Sequence, residues 1–359
     1  MIRLVVLLAL LLPVVADAEV PFTQKDLKAA LAKAKSEKRP LMVDVFATWC
    51  GPCKELDAKV FATPQATAEL KDFVALKIDA EEGEGPKFIA DYHVVGYPTV
   101  LFLDSEGREI DRIFGSTPLD DFLRTARDYR AGKGTLEESE KKFRTERGAD
   151  FELAFELLFR NAVRGREERV KDLQDLLDVA WRGFVGRTSV EQRAAFARLS
   201  SLAAQGRYVT GKYLYLRGKK DFARARDVFL ALRRDFPKSE FAEAALYDLA
   251  WAYDGLKDEA KTRETLDAYL AGSKDGTGAA NAYGWFSFKH RFQLDRGIEV
   301  TRAALAKDGK DDGLWDTLAE LHGAKGEKAK AIEAEGKAIS LKPKDAYYAE
   351  QKKKFEALK

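Results

Sequence analysis

The run Leu41-Met42-Val43-Asp44-Val45-Phe46-Ala47 leads, through Thr48, into Trp49-Cys50-Gly51-Pro52-Cys53, and this stretch decides how the chain is read. Its two cysteines are the only two in 359 residues. A near-continuous apolar run reads as a central strand covered on both faces. The strand delivers Cys50 to a turn, and a helix beginning near Pro52 carries Cys53 away. That placement lets two sulfurs close a small ring and sets the first at a helix start. The alternatives are half of a metal site or coincidence. A zinc site needs two further good ligands, and the scattered His93, His290 and His322 do not resemble them. Redox chemistry, with no metal, is the reading adopted.

Composition narrows the partners. Lys and Arg number 61 against 59 Asp and Glu, a formal charge of +2, so no basic field is available to hold nucleic acid. The length suits two or three domains. Residues 1–18 read as an export signal: Arg3, an apolar run from Leu4 to Val15, then Ala16-Asp17-Ala18 as a small-x-small cleavage site. The alternative is a membrane anchor, but a spanning helix needs about 20 residues and Pro13 interrupts this run. The expected product is soluble, exported and, in a bacterium, periplasmic. Exported proteins use cysteines as staples between distant segments. Cys50 and Cys53 are too close to constrain much chain, which favours reversible chemistry.

Working outward, Thr23 and Asp26 read as a helix start, with Leu27, Ala30, Leu31 and Ala34 on one face. After the cysteines come a helix to about Phe61, a short helix from Gln65 to Lys71 and a strand from Phe73 to Asp79. A polar loop from Glu81 to Pro86, a helix from Lys87 to Tyr92, and strands Thr99–Leu103 and Glu109–Phe114 follow. Thr117-Pro118 opens a last helix, with Asp120 and Asp121 in its first turn. Asp44 stands out, because a carboxylate in a buried strand is costly unless neutral, partnered or useful.

Residues 20–130 resemble a thioredoxin fold. The resemblance rests on the cysteine motif, Asp44 six residues before Cys50, Gly96-Tyr97-Pro98-Thr99 before a strand, and Gly115 beyond the next. Lys54-Glu55-Leu56 through Thr63-Pro64-Gln65 is most similar to the periplasmic domain of bacterial thiol:disulfide interchange proteins. The resemblance implies that Cys50 is the attacking thiolate, made acidic by the helix dipole and free N–H groups. Cys53 is then the buried resolving thiol, with Asp44 taking its proton. It implies a cis Pro98 facing the cysteines, Tyr97 offering backbone groups to a substrate strand, and Trp49 shielding the site. Gly51 and Pro52 add no charge between the cysteines and match the reducing family members, near −270 mV against about −120 mV for a strong oxidant. Disulfide-bearing protein substrates, a separate electron donor such as a membrane thiol relay, and no cofactor are implied. An oxidase or isomerase using the same site is the rival direction. Two departures stand out. Ala58 replaces a frequent proline, predicting a straighter helix. The lysine that often neighbours the buried acid falls, by count, on Ala75, with Lys77 on the same strand face.

Beyond Ala131-Gly132-Lys133-Gly134, residues 131–149 read as a charged helix or linker, and residues 150–359 carry no strand signal. Phe151, Ala154, Phe155 and Leu158, then Val170, Leu173, Leu176, Leu177 and Ala180, recur at helical spacing. Trp315-x-x-Leu318-Ala319, Ala331, Ala338 and Pro343 resemble the tetratricopeptide pattern. His322 and Glu335 stand where aromatics are usual. Ala225, Phe229 and Pro237 repeat the second half, Leu246–Tyr253 resembles a following first helix, and Trp285-x-x-Phe288 echoes the Trp315 motif. The expectation is an α/β thioredoxin fold over 19–130 followed by an all-α tetratricopeptide-like solenoid, with Ala346–Leu358 a polar end helix. Such a solenoid either docks a protein or peptide or merely spaces the redox domain. A scaffold or chaperone-like assembly protein with an incidental redox pair is the rival from another class.

Overall fold

The computed structural model describes residues 19–24, 26–146, 150–186 and 189–358. The export signal expected over residues 1–18, and positions 147–149 of the expected linker, lie outside the described residues. Of the described residues, those through Asp91 with Gly96–Glu138 form one compact unit; Tyr92–Val95 with those from Ser139 onward form the other.

In the first unit, β1 (Thr23–Gln24), β2 (Leu41–Phe46), β3 (Val74–Asp79), β4 (Thr99–Leu103) and β5 (Glu109–Phe114) build a mixed sheet of order β1-β3-β2-β4-β5. β2 sits at the centre, parallel to β3 and antiparallel to β4, which explains why its first five residues are all buried. Along β2, Met42 and Asp44 point to one face and Leu41, Val43 and Val45 to the other. Met42, Ala75, Val100 and Phe102 pack there with Leu56, Phe61, Leu70, Phe122 and Ala126. Those partners come from α2 (Gly51–Leu56) and the turn after it, α3 (Pro64–Leu70) and α5 (Leu119–Arg130). Asp44 is therefore buried on the face covered by the helix that carries the cysteines.

Two boundaries differ from expectation, the start of the first helix and that of the helix expected at Lys87, which begins at Gly85. Thr23 belongs to a short strand parallel to β3, with its hydroxyl donating to the Ala75 carbonyl at 2.8 Å. The first helix, α1 (Leu27–Glu37), starts later, where the Asp26 carboxylate accepts from the Lys28 and Ala29 amides. The Asp cap outcompetes the upstream Thr, whose backbone is committed to the sheet. α4 (Gly85–Asp91) links β3 toward β4. α6 (Leu136–Thr145) begins where its Leu136 amide donates to buried Asp111 at 2.5 Å.

The second unit is helical throughout its described residues after Ser139. α7 (Phe151–Ala162) pairs with α8 (Glu167–Gly183). α9 (Val190–Val209) runs on as a π-helical segment over Thr210–Lys219, which packs with α10 (Phe222–Asp235). Then α11 (Glu240–Gly255) pairs with α12 (Glu259–Gly272), α13 (Gly276–His290) with α14 (Leu294–Leu305), and α15 (Asp312–Ala324) with α16 (Lys328–Leu341). α17 (Ala346–Glu356) ends the array. First helices beginning at Glu240, Gly276, Asp312 and Ala346 keep close to the tetratricopeptide period of about 34 residues. Ala225, Ala319, Ala331 and Ala338 are all fully buried, as expected where small residues let paired helices approach. Gly284 shows how close: a Cβ there would lie 2.4 Å from the Thr301 hydroxyl on α14. The end helix is not polar all round, since Tyr347, Tyr348 and Phe355 are buried.

The two departures from the repeat pattern lie inside. His322 is buried and shares a 2.5 Å hydrogen bond with Glu327. Glu335 is fully buried, and neither carboxylate oxygen has a donor. Burial, with Asp316 and Glu320 facing it, pushes its pKa well up, so the helix pair packs around an acid held toward its neutral form. Among the described residues, no helix is long and apolar enough to cross a membrane.

Candidate active site

The site begins where β2 ends. Ala47 accepts from the Cys50 amide at 3.0 Å and closes the turn that lifts Trp49 and Cys50 out of the sheet. Cys50 is the cap of α2, with extended backbone (φ −75°, ψ 107°), and Pro52 sits in the first helical turn, where its missing N–H costs nothing. The Cys53 amide donates to Cys50 Sγ at 3.1 Å, so the first sulfur takes the place of a capping oxygen. Cys50 and Cys53 are joined as a disulfide, with Cα atoms 5.3 Å apart. Each is only 3% exposed. They pack with Ala47 and are flanked by Phe46, Trp49 and Tyr97. Gly51 and Pro52, between them, are exposed.

Opposite the turn, the Tyr97-Pro98 peptide is cis, as the resemblance implied, and Pro98 is buried at the head of β4. The Thr99 hydroxyl donates to the Gly96 carbonyl at 2.7 Å and ties this loop closed. Trp49 meets the Tyr97 ring edge-on at 6.2 Å, and its indole N–H donates to Glu81 Oε2 at 3.0 Å.

Beneath the site the carboxylate is neither unpartnered nor matched to Ala75. Register sets Asp44 directly beside Lys77, whose Nζ lies 3.6 Å from Asp44 Oδ2. Lys77 also donates to Asp57 and lies over the rings of Phe22 (5.5 Å) and Phe46 (4.9 Å). The electrostatic partner is therefore Lys77, on the strand face noted from the sequence, and not the position of Ala75. Burial raises the Asp44 pKa to about 7, Lys77 opposing and the Asp57 charge reinforcing the rise. Asp44 Oδ1 is buried without a hydrogen-bond partner, consistent with a carboxyl that keeps its proton readily. Lys77→Met should raise the Asp44 pKa further, by about one to two units, the size expected for losing a cation within 4 Å. NMR titration of the Asp44 carboxyl carbon checks this, and a pKa that stayed or fell would mean that Lys77 is electrostatically idle.

The cysteine helix is not straighter for having Ala58. After Leu56 it widens into a π-helical turn over Asp57–Phe61, so the regular ladder is broken without proline. Sequence reasoning noted Lys77 only as a face-mate of Ala75, and it missed the roles of Asp57 and Glu81. Asp57 was findable, since it follows Cys53 by four residues and shares its helix face. Among the described residues, no group of three or more His, Cys, Asp or Glu is arranged to hold a metal ion.

Residues 22–105 match the family model described as thioredoxin-like. The thiol:disulfide interchange protein DsbD of Yersinia enterocolitica is 41% identical over 86 residues, 23% of this chain and 14% of that protein. The chain therefore spans about a seventh of that relative's length. The oxidised C-terminal domain of Neisseria meningitidis DsbD aligns over 29% of this chain and 91% of its own, at 24% identity and a TM-score of 0.26. YrrB, described as a TPR protein with an unusual peptide-binding site, aligns over 61% of this chain and 99% of its own, at 17% identity and a TM-score of 0.36.

Proposed function

Residues 22–105 being a thioredoxin-like domain, we propose that this protein is an exported thiol:disulfide oxidoreductase that reduces protein disulfides, with its helical repeats serving to dock partners. The observation that carries the reading is a bonded cysteine pair capping a helix above a buried carboxyl whose pKa lies near 7. In the reduced protein, Cys50 Sγ takes the anionic form, supported by the Cys53 amide and the helix N-terminus. It attacks one sulfur of a partner's disulfide. That bond breaks, a Cys50–partner bond forms, and the departing partner thiolate takes a proton from solvent. Asp44 then accepts the Cys53 proton, directly or through water, and Cys53 attacks Cys50 Sγ. The intramolecular disulfide forms and the partner leaves with its second thiol. Two electrons have passed to the partner, so a separate thiol donor must re-reduce the pair. A membrane thiol relay fits an exported protein.

Tyr97 offers backbone N–H and C=O groups to an extended substrate strand, and Trp49, Gly51, Pro52 and Pro98 frame the sulfurs. The uncharged Gly51-Pro52 pair supports the reducing direction. No cation sits between the cysteines to stabilise the dithiol and make the disulfide strongly oxidising. The test is a Cys53→Ala chain, which should hold substrates and donor as mixed disulfides on Cys50, released by dithiothreitol and identified by mass. If no reductant-sensitive adduct forms, the exchange reading fails. Equilibration against glutathione decides direction, because a potential above about −180 mV removes the reductase and leaves an oxidase or isomerase.

A further inference from the structure

Cys50 must meet a partner's sulfur, yet it is only 3% exposed, so the rings around it govern access. Trp49 is one of these rings, and two of its contacts bear on where it sits. Tyr97 touches it edge-on, and Glu81, 32 residues away in sequence, accepts its indole proton at 3.0 Å. Glu81 is exposed but its backbone is not free to wander. Its amide donates to Asp79 Oδ1 at 2.9 Å, and the preceding Ala80 amide donates to the Phe46 carbonyl at 2.8 Å. The loop then doubles back so tightly that a Cβ on Gly85 would sit 1.8 Å from the Asp79 carbonyl. Among the described residues Glu81 forms no ion pair, so its carboxylate is committed to the indole.

We propose that Glu81 is a positioning residue that acts through Trp49, holding the indole against the cysteine pair so that Cys50 is screened from small reagents while a preset apolar surface meets protein substrates. The proposal rests on Cys50 being the attacking thiol. Without an acceptor the indole N–H must turn toward water, and the ring leaves its place against the cysteine pair. The same movement that opens Cys50 to a small molecule removes part of the surface that a protein partner uses.

The test uses the full chain carrying Cys53→Ala, so that Cys50 is the sole thiol, and follows its alkylation by iodoacetamide across pH. Glu81→Ala should react about three- to tenfold faster with an unchanged midpoint, while Glu81→Gln, whose amide oxygen still accepts, should stay within about twofold of the parent. In the chain with both cysteines, Glu81→Ala should raise the KM for insulin disulfides several-fold with kcat retained. In a Trp49→Phe background, which lacks the indole proton, Glu81→Ala should add nothing. The proposal is overturned if Glu81→Ala reacts at the parent rate, if Glu81→Gln behaves like Glu81→Ala, or if a shifted midpoint accounts for the whole change. That last result would make Glu81 a charge acting on the thiol. Failure of the unmutated chain to reduce insulin would instead strike the exchange reading, and the alkylation rates would still decide the role of Glu81.

Discussion

Cys50→Ser should lose disulfide exchange by roughly three orders of magnitude or more, while the circular dichroism and thermal unfolding of the helical unit stay as they are. Serine keeps the shape of the cap and accepts the Cys53 amide as well as sulfur does, so the turn should survive. What it cannot do is carry negative charge near neutral pH. Cys53 is no substitute: it is equally buried and lies one turn into the helix, without a terminal amide directed at its sulfur. Turnover within about tenfold of the parent would mean that Cys53 attacks first, and the assignment of roles would fall. The same variant separates the enzyme from the scaffold. If the biological role persisted in Cys50→Ser and vanished on truncation after Tyr129, the repeats would carry the function.

The cysteine turn, the central strand and buried Asp44 were legible because each is a local pattern: an apolar run, a two-residue spacing, one acid out of place. The partner of Asp44 was not. Counting along a strand says which residues share a face, but the β2–β3 register decides which one stands opposite, and that register puts Lys77 rather than Ala75 beside the carboxyl. The contact between Trp49 and Glu81 joins two loops through tertiary structure alone and leaves no local trace. In the helical part, alanine spacing revealed the hairpins, since small residues at crossings are a steric requirement repeated in every unit. The π-helical run over Thr210–Lys219 carries no comparable signature. Glu335 was visible as a departure from pattern, but how far its pKa is raised depends on burial and on Asp316 and Glu320 from the neighbouring helix. Local periodicity thus reports what must be buried. It does not report how burial changes the protonation of a side chain.

That distinction matters most at Asp44, where Asp44→Asn should make the first unit more stable and the enzyme worse. The Asp44 pKa of about 7 stands above the value of 3.8 for an exposed aspartate. Between those values the folded chain holds a proton that the unfolded chain has released. Stability therefore falls as pH rises from about 4 to 7 and levels off above. A difference of about three units corresponds to about 4 kcal/mol lost at pH 8 relative to pH 4. Asparagine removes the titration, so the opening free energy of the β2 and β4 amides, taken from hydrogen exchange after division by the intrinsic exchange rate at each pH, should become nearly independent of pH in this range and exceed that of the parent at pH 8. Disulfide exchange should meanwhile fall by about 10²-fold, with the mixed disulfide on Cys50 accumulating because Cys53 has lost its proton acceptor. The two effects have one cause: a carboxyl held at the edge of ionisation by burial is poor packing and a good base. An Asp44→Asn chain that was less stable at pH 8, or that resolved mixed disulfides at the parent rate, would show that Asp44 is a structural carboxyl satisfied by Lys77 and nothing more.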